Sequence, residues 1–219
     1  MRKIFIISVF ILIGNMIFAQ YDSEAKSILD KVSEKTKAYS TIKIEFNSIL
    51  KNLQDDIEET VEGVIYLKGN RYKLEIFENK IFSDGKTKWV YLPEVEEVSV
   101  YDLTTIDNED NNDILNDPNK IFNIYEKGFK YKLMGEKSEN GKIYYEIELV
   151  PENLDLNYFK IKINIDKEKL QLFSIKYFGK DGTRYTIILT KFDTNITLND
   201  DMFIFDTNAH PNVEVIDMR

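Results

Sequence analysis

The chain offers little to a chemist looking for a catalyst. Its 219 residues include one histidine, His210 in "NAHPN", and no cysteine. An imidazole needs a partner to act as a base or as a metal ligand. With no second histidine and no thiol, His210 reads as a structural residue. Acidic side chains are plentiful, 38 in all. A pair of them could share acid and base roles if burial raised one pKa, but no pair stands out in an apolar strand. "DNEDNND", Asp107 to Asp113, has the composition of a calcium loop. It lacks that motif's fixed glycine and closing glutamate, so it reads as a solvated loop. Neither a glycine-rich phosphate loop nor a nucleophile elbow occurs. No enzyme, cofactor or metal is expected. The remaining chemistry is apolar. "FSDGKTKWVYLP", Phe82 to Pro93, concentrates Trp89, Val90, Tyr91 and Leu92 behind an Asp84-Gly85 turn. Such a load is either plain core or the wall of a container.

The elements that must position this load change period along the chain. Met1-Arg2-Lys3, the apolar run Ile4 to Ile13 and Ile17-Phe18-Ala19 have the layout of a cleavable export signal over residues 1–19. The run is short for a membrane span. Losing Arg2 and Lys3 takes the 29 basic residues to 27 against 38 acidic ones, a net charge of −11. That balance argues against nucleic acid and against anionic lipid surfaces. Tyr21 to Tyr39 reads as an amphipathic helix, with Ala25, Ile28, Leu29, Val32 and Thr36 at helical spacing. Period two follows, in Ile42/Ile44/Phe46, Gly63/Ile65/Leu67, Tyr72/Leu74/Ile76, Trp89/Tyr91 and Val98/Val100. Asp117-Pro118 then predicts an N-cap and first helical residue, opening a helix to Lys127 with the stripe Ile121, Phe122, Tyr125. Alternation returns in Tyr145/Ile147/Leu149, Phe159/Ile161/Ile163, Phe173/Ile175/Tyr177 and Tyr185/Ile187/Leu189, with turns at Asn140-Gly141, Asp166-Lys167 and Asp181-Gly182. The pattern predicts a mainly β protein with a few helices: a large antiparallel sheet with one apolar face, which must curl or close. About six strands precede the helical insertion and about five follow it.

The order of features resembles the LolA family of periplasmic outer-membrane lipoprotein carriers. Gly63 opens an apolar strand in "VEGVIYLKGNRYKLEIF". Lys68-Gly69-Asn70-Arg71-Tyr72 forms a turn leading to an aromatic strand. Asp84, Gly85, Trp89 and Tyr91 match a DG-x-x-x-W-x-Y hairpin, and "FIFDTNAHPNVEVID" (Phe203 to Asp217) matches the family ending. The resemblance implies an unclosed, strongly curved antiparallel β-barrel with a helical lid over residues 20–219, holding acyl chains on its apolar side. It implies a cavity lined by Phe46, Ile65, Leu67, Leu74, Ile76, Trp89, Tyr91, Val98, Ile147, Phe159 and Ile161, and a lid formed by Ile121, Phe122 and Tyr125. Well-known members carry an arginine that bonds the lid directly after the strand-ending lysine. Here that place is Gly69, leaving Lys68 or Arg71 as the possible latch.

The implied function is a monomeric periplasmic carrier of acylated lipoproteins from an inner-membrane lipoprotein-releasing ABC transporter to an outer-membrane receptor, where one exists. The alternative on the same fold is a periplasmic sensor that binds lipoproteins or other amphiphiles without passing them on. A secreted hydrolase lacks a visible nucleophile.

Overall fold

The computed structural model describes residues 22–54, 57–104 and 118–219. The expected export signal, the acidic run at 107–113 and the expected cap at Asp117 lie outside them. One α-helix, α1 (Ser23–Lys37), comes first. Its Asp22 cap explains its start: one carboxylate oxygen accepts from the backbone N–H groups of Glu24 and Ala25, at 3.0 Å each. The other accepts from Leu133 N–H at 2.9 Å, which ties the helix start to the sheet. These bonds, Ala25's first among them, hold the Asp22 carboxyl below its ordinary pKa. The buried stripe Ala25, Ile28, Leu29, Val32 is the one the spacing predicts.

The strands follow as β1 (Ile42–Asn52), β2 (Ile57–Lys68), β3 (Arg71–Ile76), β4 (Asn79–Ser83), β5 (Thr87–Leu92), β6 (Glu97–Asp102), β7 (Phe129–Glu139), β8 (Lys142–Pro151), β9 (Tyr158–Asp166), β10 (Gln171–Gly179), β11 (Thr183–Thr194) and β12 (Glu214–Asp217). Among the described residues they form one twelve-stranded sheet, ordered β12-β6-β5-β4-β3-β2-β1-β11-β10-β9-β8-β7. Its neighbours are antiparallel except β12 and β6. The end strands β12 and β7 do not pair with each other, so the curved sheet stays unclosed. No described helix is long and apolar enough to cross a membrane.

Residues paired across neighbouring strands share a face. The ladder Ile44–Ile65–Leu74 therefore marks one face, and α1 packs on that same face in a common core. We call it the inner face. Phe46 pairs directly with Gly63 there. A Cβ built on Gly63 would lie 2.3 Å from Phe46 Cζ, so glycine is what admits the ring over the backbone. Gly63→Ala is expected to overpack this point and cost about 1–3 kcal/mol, read from the denaturation midpoint. Phe46→Leu in the same chain should recover part of the loss. An unchanged midpoint for Gly63→Ala would show that the ring swings aside at no cost.

The predicted helix from 117 to 127 differs in form. Pro118–Phe122 and Ile124–Glu126 are two short 3-10 turns broken at Asn123. Asn119, Asn123 and Gly128 are poor helix interiors, so the segment takes single turns rather than a continuous α-helix.

Candidate apolar binding site

The inner face of the sheet meets the 118–126 segment around a hollow of about 30 Å³. Phe46, Ile65, Leu67 and Leu74 line it, as the alternation predicts, together with Ile121 of the expected lid stripe and with Ile44, Pro118, Ile187 and Leu189. The last four were missed, although Ile44 continues the Phe46 alternation and Ile187/Leu189 is a strand face legible in the sequence. Placing β11 beside β1 requires a pairing between segments some 140 residues apart in the chain, which local pattern does not encode. Every lining group is hydrocarbon. A hollow of this size holds one or two water molecules, so as it stands it is too small for an acyl chain. Ile76 is on the inner face opposite Gly63, half-buried against the core. Ile147 and Ile161 face inward as predicted, but lie fully buried in the core rather than on the hollow.

The closing segment is tied down by its own residues. Phe122 meets Phe192 edge-on, with ring centres 6.2 Å apart. Ile121, Phe122 and Tyr125 also border a gap of about 10 Å³ against Leu29, Val32 and Ile163. Tyr125 Oη donates to Asp30 Oδ1 at 2.9 Å, and Lys37 pairs with Glu126 at 3.0 Å. Burial, and then the Asp30 carboxylate, push the Tyr125 phenol up. Lys26 at 2.7 Å, and secondarily Tyr125, hold Asp30 below its usual range. A depressed carboxyl contributes stability above its unfolded pKa, about 3.9, and loses it as pH falls through the lower folded value. A raised phenol contributes below about pH 10 and loses that contribution as pH rises further. The tie is therefore strongest between about pH 4 and 10. Tyr125→Phe is expected to cost about 1 kcal/mol, because Asp30 is part-exposed and screened. Amide exchange at Asn123 and Glu126, whose N–H groups bond Lys120 and Asn123 carbonyls, should quicken about fivefold. Unchanged exchange would show that the phenol does not hold this segment.

Other predicted site residues lie elsewhere. The ladder Lys73–Phe82–Trp89–Val100 is one residue out of phase with the ladder Leu74–Ile81–Val90. Trp89, Tyr91 and Val98 thus occupy the outer face, not the inner one as predicted. With Phe82 they form a second core covered by Phe205 and Val213. His210 belongs here too, stacked on Phe205 at 4.9 Å and 11°. Phe159 also turns outward, and is 45% exposed. The β9–β10 register slips beside it, pairing Gly179 with Tyr158. Tyr158 therefore goes inward, edge-on to Tyr177 at 5.2 Å. Phe159 lies near Phe178 and under the Arg184 guanidinium. A one-residue slip reverses a strand's faces. The same alternation governs the predicted latch. Lys68 and Arg71 neighbour the inner Leu67 and Tyr72, so they point to the outer face. Both bind Asp200, at 2.6 and 2.9 Å, and depress its pKa. They fasten the C-terminal segment, not the segment over the hollow.

Comparison with known proteins accords with this architecture. A structure from Thermus thermophilus, described as an uncharacterized conserved protein, is 11% identical. The match covers 89% of this chain and 99% of that one, with a TM-score of 0.56. A DUF1329 family protein from Desulfovibrio piger is 14% identical over 87% of this chain and 99% of that chain, with a TM-score of 0.52. In sequence, an outer-membrane lipoprotein carrier protein from Idiomarina loihiensis is 24% identical over 202 residues, 90% of this chain and 91% of that protein. The profile of the family described as "Outer membrane lipoprotein carrier protein LolA" matches residues 37–206. A match over most of the chain places this protein in the LolA family.

Proposed function

We propose that this protein is an exported periplasmic carrier that shelters the acyl chains of lipoproteins and moves them from the inner to the outer membrane. The observation that carries the reading is the small, all-hydrocarbon hollow between the inner sheet face and the 118–126 segment. An acyl chain gains about 0.8 kcal/mol per buried methylene, which favours a site walled by aliphatic and aromatic groups without precise polar geometry. Loading requires the 118–126 segment to lift, and unloading lets it close. The partners in this reading are acylated lipoproteins, a lipoprotein-releasing ABC transporter at the inner membrane and, where present, an outer-membrane receptor. The chain acts as a monomer and as a binder, not a catalyst.

A second reading keeps the binding and drops onward transfer: a sensor of lipoproteins or other amphiphiles. The outward turn of Lys68 and Arg71 favours it, since neither side chain reaches the segment over the hollow. Both readings are tested together. Purified protein added to spheroplasts should release a membrane-anchored lipoprotein as a roughly one-to-one soluble complex. Delivery of that complex to outer-membrane vesicles supports the carrier. Release without delivery supports the sensor. Failure of the folded protein to solubilise any lipoprotein, with turnover or binding of a soluble sugar or peptide instead, sinks both.

A further inference from the structure

Beside the acyl hollow lies a larger chamber of about 280 Å³, near the lower end of ligand-pocket sizes. It sits between the end of α1, the start of β1, the β2–β3 turn and the 118–126 segment. Resting on the carrier reading above, we propose that this chamber is a head-group subsite, holding the uncharged glyceryl ester and amide groups that join acyl chains to a lipoprotein's first residue.

Three observations carry the assignment. The first is continuity. Leu67 lines both spaces, and Ile121 and Phe122, adjacent in the closing segment, line the hollow and the chamber respectively. Lifting one short segment therefore uncovers a tail site and its neighbour together. The second is the lining. Ile42, Leu67 and Phe122 give an apolar side. Asn123 gives a carboxamide, and Thr36 and Ser40 give hydroxyls that already donate to Val32 O and Asn195 Oδ1 and so offer lone pairs to an amide N–H. That mixture suits a molecule that is greasy at one end and polar at the other. The third is charge. The cation at this chamber, Lys37, is already paired with Glu126 at 3.0 Å. The lining thus matches neutral ester and amide oxygens and N–H groups better than a phosphate, which calls for uncompensated cations. On the remaining wall, Gly69 has φ +60°, and a Cβ built there meets nothing within 4 Å, so bare backbone borders the space.

The test compares three probes by calorimetry on the purified protein: a dipalmitoylglyceryl-cysteinyl peptide, palmitate and a palmitoyl lysophospholipid. Asn123 makes no side-chain cap bond to the turn it precedes, so Asn123→Trp fills the chamber without removing a cap. It should weaken lipopeptide binding about tenfold or more, the size of one or two lost buried hydrogen bonds, and leave palmitate within about threefold. Thr36→Leu, on a helix that accepts leucine, intrudes from the opposite wall and should reproduce the split even if Asn123→Trp folds poorly. Equal loss for lipopeptide and palmitate overturns the subsite and makes the chamber part of the tail path. No loss for either probe also overturns it, while the carrier reading stands. A lysophospholipid bound more tightly than the lipopeptide, and equally sensitive to both substitutions, overturns the neutral-head assignment. Wild-type protein that binds neither lipopeptide nor palmitate overturns the carrier reading along with the subsite.

Discussion

Leu74→Glu should abolish uptake of an acylated ligand, and Leu74→Met should keep it. Leu74 is 2% exposed and lines the hollow, between Ile65 and Ile81 in its ladder. The nearest basic neighbours in sequence, Lys73 and Arg71, point to the other face, so a carboxylate at position 74 meets hydrocarbon first. A buried unpaired charge costs about 3–5 kcal/mol, against a total stability of about 5–15 kcal/mol for a domain. For a chain of this length that is a melting-point loss of roughly 6–20 °C. Binding must therefore be measured well below the variant's melting point. There, the folded Leu74→Glu protein should bind no acyl probe, because a chain entering the hollow would have to desolvate the carboxylate again. Leu74→Met conserves volume and should cost less than about 1.5 kcal/mol while retaining uptake. A folded Leu74→Glu protein that still takes up palmitoylated ligand would remove the hollow from the binding path.

What the sequence disclosed, and what it did not, follows from how far each feature depends on distant chain. Helix α1 was legible because its apolar stripe lies within one segment, while its Asp22 cap showed only in the structure. The strands of β1, β2 and β9 to β11 were legible because each carries its own alternation. Alternation gives two faces but does not say which one is inner. That depends on pairing, and the decisive strand, β4, is five residues between two turns and carries too short a pattern to stand out. Pairing Phe82 with Trp89 sets the whole Trp89–Val100 hairpin one residue out of phase with Leu74. The cover for that outer face is Phe205, more than a hundred residues later. Likewise the slip at Phe178/Gly179 depends on two strands at once, so Phe159 could not be oriented from its own neighbours. The resemblance to a family gave the fold and the hollow, yet the conspicuous tryptophan of its motif stands outside that hollow. Legible motifs mark packing as readily as they mark a site.

This division of the sheet into two buried faces leads to the second large effect. Phe205→Ala should destabilise the protein by about 3–5 kcal/mol, as expected for truncating a buried aromatic ring. Phe205 is 5% exposed. Its ring lies 5.7 Å from Phe82, 4.9 Å from Tyr91 and 4.9 Å from His210, so removing it opens a cavity among rings that cannot all collapse inward. The melting point should fall by roughly 6–20 °C, comparable to the Leu74→Glu variant. Its ligand binding should not fall with it. The sheet backbone separates Phe205 from the hollow, and the outer cluster shares no lining residue with it. At a temperature where both proteins are folded, Phe205→Ala should bind an acyl probe within about threefold of wild type, less than about 1 kcal/mol. The pair of variants thus separates stability from binding: similar melting loss, opposite effect on uptake. If folded Phe205→Ala loses acyl binding as fully as Leu74→Glu, the two faces are coupled through the sheet and the outer aromatic cluster belongs to the site. If it melts like wild type, the C-terminal segment is not the cover of a second core.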